Sequence, residues 1–343
     1  MGRKRFQSQV ATGPATVRTV ADLAGVSIAS ASRVLNGLGG SPELSARVKA
    51  AAERVGYVPN AIARSLQAQR TGLIGLAVAD IGNPVYVQMM RAIEAEIADC
   101  GRQLLIHATN ANAAGETELL RGLARRYVDG MIMSPLRVTE AHLNALAKSA
   151  VPVVVVGQLP DDAPIDNVRA DSIAGVRLAV DHLVDTGRRR IAMINGPLDT
   201  VPGAARDTGF RSALAARGLA PADVEYGDFT FEAGLAAARR LLERSGGTGD
   251  RPDAILAAND LIAAGTLHAL LAAGVRVPHD VALVGMDNTD ITELTFPRLT
   301  SVDLGAAERG RRAARLLLSR LDDGTIGPRR ETVPPTLVQR DST

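Results

Sequence analysis

Short, wholly apolar runs recur along this chain between amphipathic stretches, and they do so twice over. LIGLAVA, QLLIHA, GMIMS and VPVVVVG alternate with helical patterns at 84–100, 115–127 and 139–149. RIAMIN, AILAAN and VALVGMD alternate with helical patterns at 172–187, 204–217, 231–244 and 260–273. A strand that is apolar along its whole length is covered on both faces, and strands separated by helices run parallel. The pattern therefore predicts two doubly wound subdomains, whose ligands bind at the carboxyl ends of the strands. A last helix is predicted over 305–323, followed by a short tail without leucine heptads.

The first 72 residues have a different texture. They hold ten Lys/Arg against three acidic residues, a net of +7, although the 343-residue chain totals only +2; the remainder is therefore −5. A basic head on an acidic body points to a polyanionic partner for the head alone. Residues 1–15 lack periodicity and read as a disordered tail, and short helices are predicted at 17–24, 28–35 and 43–56. Gly25 ends the first, Ser27 is placed to cap the second, and Ser41-Pro42 opens the third. A helix, a glycine turn and a second helix with small polar residues near its start form a helix-turn-helix pattern. Ala29, Ser30 and Ser32 let that helix approach the floor of a major groove. Ile28 and Ala29 can then lie against base edges, Arg33 can reach a base or phosphate, and Ser27 and Ser30 suit phosphate contacts. The partner this predicts is double-stranded DNA.

Other classes find little support. The single cysteine, Cys100, excludes an internal disulfide and fits a reducing compartment. The basic N-terminus has no apolar secretory core, and the longest apolar run, near 151–156, is far too short to span a bilayer. These features predict a cytoplasmic protein with no membrane partner. The histidines are scattered, the lysines (Lys4, Lys49, Lys148) sit in no phosphate-binding loop, and no nucleophile elbow occurs. Neither catalysis nor a cofactor or metal is expected.

TVRTVADLAGVSIASASRVLNG, followed by SPELSARVKAAAERVGYVPNAIARSLQAQRTGLIG, resembles the head and hinge of the lactose-repressor/galactose-repressor (LacI/GalR) family. VDGMIMSP, RDTGF, AANDLIAAG, VALVGMDNTD and PRLTSVDL extend the resemblance to about residue 340. It implies a DNA-binding regulator, usually a repressor, with a body similar to periplasmic sugar-binding proteins. The implied fold is an all-α helix-turn-helix head plus hinge helix on an α/β core of two doubly wound parallel-sheet subdomains. The domain plan is a head at 16–59, a hinge at 60–71 and an effector-binding and dimerisation core at 72–343. Within that core the N-subdomain is expected at about 72–169 plus 297–326, and the C-subdomain at about 170–296 plus 327–340.

The resemblance makes Ile28 and Ala29 the base-reading pair. Asn36, Asn60 and Ala63 join the DNA-contacting set, and Leu66 becomes an apolar wedge at a central CG step of a pseudo-palindromic operator read by a homodimer. Ala31 departs from the family's usual valine. Arg206, Asn259 and Asp287 match the effector site, and an arginine, an amide and a carboxylate at strand ends suit hydroxyls or a carboxylate. Tyr86 and Phe229 are further stacking candidates, with Asp80 and Asn83 as polar contacts; Gly157 leaves one potential contact missing. The expected effector is a small sugar-like molecule. Dimer contacts are expected from the apolar Val85, Met89, Ile93 and Ile97 of the 84–100 helix. Two alternatives remain: a DNA-binding regulator answering to a protein partner or acting constitutively, and a solute-binding protein, which would want a signal peptide and no basic head.

Overall fold

The computed structural model describes residues 15–58, 70–245, 251–325 and 327–343. The chain divides into two units, 1–71 and 72–343. The tail over 1–14 and the expected hinge contacts Asn60, Ala63 and Leu66 lie outside the described residues.

The first unit packs three helices, α1 (Val17–Ala24), α2 (Ile28–Leu35) and α3 (Pro42–Arg54). Thr16 and Thr19 form a reciprocal cap at the start of α1, and Gly25 closes it in the left-handed conformation (φ 62°). The Ser27 hydroxyl accepts from the Ser30 amide at the start of α2, and Ser41 caps α3 ahead of Pro42. Val20, Ala21, Ala31, Val34, Val48 and Ala51 face inward and form the core of the head.

The second unit holds two six-stranded sheets. The N-subdomain sheet is built from β1 (Leu73–Val78), β2 (Gln103–Ala108), β3 (Gly130–Ser134), β4 (Val153–Val156), β5 (Asp166–Ala170) and β11 (Arg330–Val333), ordered β11-β5-β4-β3-β1-β2. The C-subdomain sheet is built from β6 (Ile191–Asn195), β7 (Asp223–Tyr226), β8 (Ala254–Ala257), β9 (Ala282–Met286), β10 (Thr300–Asp303) and β12 (Thr336–Val338), ordered β12-β10-β9-β8-β6-β7. The first five strands of each set repeat one spatial order, which is the structural source of the two-fold rhythm in the sequence. All neighbours are parallel except β12 with β10.

Helices α4 (Pro84–Ala98), α5 (Ala113–Gly122), α6 (Glu140–Ala147) and α12 (Ala306–Asp322) serve the first sheet. The second is served by α7 (Ser172–Asp185), α8 (Val201–Ala216), α9 (Phe231–Arg244) and α10 (Asp260–Ala272), with a short α11 (Ile291–Leu294) after β9. The chain crosses between subdomains after β5, after β10 and after β11.

Two expectations need correction. Residues 297–304 were assigned to the N-subdomain, but β10 pairs with β9, Ser301 opposite Gly285, in the C-subdomain sheet. Conversely, β11 pairs with β5 in the N-subdomain sheet, so the exchange comes after β11 and not at 327. The apolar face of α4 is no free dimer surface either. Val85, Met89, Ile93 and Ile97 are all buried in their own core with Ala313, Leu316 and Leu317 of α12. The two helices lie so close that a Cβ on Gly310 would come within 2.6 Å of the Met89 carbonyl oxygen. That contact fixes the first turns of α12, and with them Arg309.

Candidate functional site: the head and the cleft

In the head, α2 divides cleanly. Ala31 and Val34 are buried, whereas Ser27, Ile28, Ala29 and Arg33 are exposed; Ile28, a large aliphatic, leaves 42% of its surface in water. The half-buried Ser30 shares a 2.9 Å hydroxyl contact with Ser27 at the helix N-terminus, where backbone amides favour phosphate. Asn36 ends α2, and its amide donates to the Ser32 hydroxyl at 3.3 Å.

In the core, a cavity of about 370 Å³ lies between the two sheets. Every strand from β1 to β10 contributes to it at its carboxyl end, as the doubly wound topology requires. Arg206, Asn259, Asp287, Tyr86, Phe229, Asp80 and Asn83 all line this one space.

Their local roles differ. Asn259 is committed to structure: its side-chain oxygen caps α10 by accepting from the Ile262 amide (2.8 Å), and its amide donates to the Phe229 carbonyl (3.1 Å). It therefore sets where Phe229 sits. Asn83 caps α4, and the exposed Asp80 accepts from the Gly82 amide. Arg206, in α8, is 6% exposed; its guanidinium stands 5.6 Å from the Phe229 ring centroid and 3.6 Å from an Asp287 oxygen. Asp287 follows β9 with φ at 101°, a backbone strain of the kind stored at binding sites. Arg206 therefore pairs with Asp287, yet its Nε remains enclosed without a hydrogen-bond partner among the described residues.

Burial dominates the electrostatics. It pushes the Tyr86 hydroxyl up to about 12, against the opposing effect of its hydrogen bond with Ser134, so it remains a neutral donor. Burial raises the Asp287 carboxyl, with Arg206 and Arg309 pulling the other way, and it lowers Arg206. Beneath the cleft, burial and the nearby Asp287 lift the Asp260 carboxyl to about 7.

The sequence reading missed several lining residues: Asn110, Arg137, Gln158, Asp228 and Arg309. Arg309 was legible in principle. Ala306, Arg309, Gly310 and Ala313 fall on one helical face, so an arginine stands where the period demands an apolar residue. The cleft is also bridged. Leu136 O accepts from Val201 N at 2.8 Å, Arg137 pairs with Asp199, and the Gln88 amide donates to the Asn288 carbonyl at 2.9 Å.

A helix-turn-helix head on a two-sheet core with a ligand-sized cleft at its strand ends defines a DNA-binding regulator with a periplasmic-binding-protein-like body. Comparison agrees with both halves: residues 16–60 match the bacterial regulatory proteins of the lacI family, and residues 180–343 match the periplasmic binding protein-like domain. The HTH-type transcriptional regulator CelR of Thermobifida fusca is 37% identical over 95% of this chain and 98% of its own. The ribose operon repressor of Escherichia coli (strain K12) is 33% identical over 96% and 99%. Among solved structures, the CelR-cellobiose complex aligns with a TM-score of 0.72 at 35% identity, covering 96% of this chain and 100% of that one. The lac repressor dimer bound to operator and the anti-inducer ONPF aligns at 0.86 and 27%, covering 96% and 99%. The chain belongs to the lacI family of DNA-binding transcription regulators.

No helix among the described residues is long and apolar enough to cross a membrane, and no cluster of possible metal ligands occurs among them.

Proposed function

We propose that this protein is a homodimeric repressor, acting in the cytoplasm at the nucleoid, whose hold on a pseudo-palindromic operator is set by a sugar-class ligand in the core cleft. The observation that carries the reading is the convergence of β1 to β10 on one cavity. It combines an apolar ring (Phe229), amide and carboxylate groups for hydroxyls, and a buried arginine with an unused donor. Its volume suits a small molecule. The relatives' ligands, cellobiose in CelR and ONPF in the lac repressor, are of the same chemical class. Because the lining comes from both subdomains, a ligand that fits it favours one relative placement of the two. Segment 60–71 passes that bias to the heads, by no more than the ligand's differential affinity for the two states. In the head, Ile28 and Ala29 read bases, Arg33 and the Ser27–Ser30 pair position the helix, and Leu66 supplies the wedge. The reading assigns no catalytic role to any residue.

The test is thermal unfolding of the full chain against a panel of mono- and disaccharides, their acids and phosphates. A selective ligand raises the melting temperature by mass action. Arg206→Ala should abolish that rise. A rise that survives the substitution would place the ligand elsewhere.

A further inference from the structure

Two guanidinium groups, from opposite subdomains, look into the cleft. Arg206 comes from α8 on the C-subdomain side, and Arg309 from the first turn of α12 on the N-subdomain side. The Nε atoms of both are enclosed and lack hydrogen-bond partners among the described residues. Burial lowers Arg309, and the charges of Asp287 and Asp303 oppose that.

The nearby carboxylates cannot satisfy both arginines. Asp260 takes the Thr289 amide and hydroxyl on one oxygen (2.6 and 2.9 Å) and the Ser301 hydroxyl on the other (2.7 Å). Asp303 takes the Gly305 amide (2.6 Å) and the Asn288 amide (3.3 Å). Asp287 alone remains between the two arginines, and its 3.6 Å approach to Arg206 is longer than a hydrogen bond. Asp287 and Asp303 offset the charge of the two guanidiniums, but no acceptor among the described residues meets their Nε donors in this desolvated space, which is costly until an oxyanion joins them.

We propose that the cleft selects a sugar derivative bearing one anionic group, a carboxylate or a phosphate, held between Arg206 and Arg309. The inference rests on the sugar-cleft reading above and narrows its ligand. Planar guanidinium groups are the best-matched partners for these oxyanions. Asp80, Asn110 and Gln158 remain to meet hydroxyls, and Phe229 to meet an apolar ring face. Because the arginines belong to different subdomains, the anion bridges them and draws the cleft shut; a neutral hydroxyl at the same place meets fewer of their donors.

The experiment is calorimetric titration and thermal unfolding of the full-length protein with matched series: glucose, gluconate and glucose 6-phosphate; galactose and galacturonate; ribose and ribose 5-phosphate; and inorganic phosphate alone. At least one anionic member should bind about tenfold or more tightly than its neutral parent, as a charge-assisted bidentate contact requires. High salt should erode that preference. The carboxylate and phosphate members distinguish the two sources of the anion. Arg309→Met should weaken the anionic member far more than the neutral parent and so remove the preference, and Arg309→Lys, which keeps the charge, should retain part of it. Equal or tighter binding of neutral sugars, or a preference unchanged in Arg309→Met, would overturn the assignment. If a neutral sugar binds through Arg206 and alters operator affinity, the sugar-gated reading stands and the anion falls. If no member of any series binds, both fall.

Discussion

Arg137 and Asp199 clasp one another across the mouth of the cleft, Arg137 Nε and Nη2 donating to the two Asp199 carboxylate oxygens at 2.7 and 3.1 Å. One residue follows β3 in the N-subdomain, the other precedes α8 in the C-subdomain, and the pair is partly open to solvent. Its hydrogen bonds hold the Asp199 carboxyl below its ordinary range. Exposed ion pairs are weak, so Asp199→Ala should lower ligand affinity no more than about fivefold, chiefly through faster dissociation. Stopped-flow release of the ligand checks this. High salt should reduce the difference between variant and parent.

Phe229 stands over Gly196, where a Cβ would lie 2.1 Å from Cζ of the ring. Gly196→Ala must therefore displace the ring from its place in the cleft lining. Ligand affinity is expected to fall about tenfold or more, as for loss of a well-packed contact. DNA affinity without ligand should be unchanged; both follow from calorimetry and fluorescence anisotropy.

Asp260 has a raised carboxyl in the folded state, near 7 against an ordinary 3.8. The folded protein then keeps a proton that the unfolded chain releases. Stability from this group is complete below the unfolded value and is lost as pH rises through about 7. Asp287, also raised by burial, acts in the same sense. The drop in melting temperature between pH 5 and pH 8 should shrink in Asp260→Asn; an unchanged drop would assign it to other groups.

In the head, Arg33→Ala should weaken binding to all duplexes and reduce the salt slope by about one ion. Ile28→Ala should leave the salt slope intact and relax preference at the bases beneath it, costing about 1–3 kcal/mol of discrimination. Salt-dependent anisotropy on matched and mismatched duplexes separates the two.

Much of this was legible in the sequence because helices and buried strands carry their period with them. The 231–244 helix has the bounds its apolar spacing gives, and 84–100, 172–187 and 260–273 end within two residues of theirs. Strands β5 (DNVRA) and β10 (TSVD) were harder, since both are polar enough to pass for loops. The late exchange between subdomains was misread because a short strand's partner is not written in its own residues. All seven proposed effector residues line one cavity, but Asn259's engagement with Phe229 and the α10 cap could not be foreseen. Arg309 was hidden among Arg311, Arg312 and Arg315, a run that reads as a solvated helix face until the phase of Ala306 and Ala313 is followed.

The most direct test of the account is operator affinity of one full-length preparation, measured with and without a cleft ligand, on a duplex selected from random sequence. The account predicts a pseudo-palindromic duplex whose affinity changes about tenfold or more when ligand saturates the cleft, and no change in Arg206→Ala. Equal affinity with and without bound ligand would contradict it.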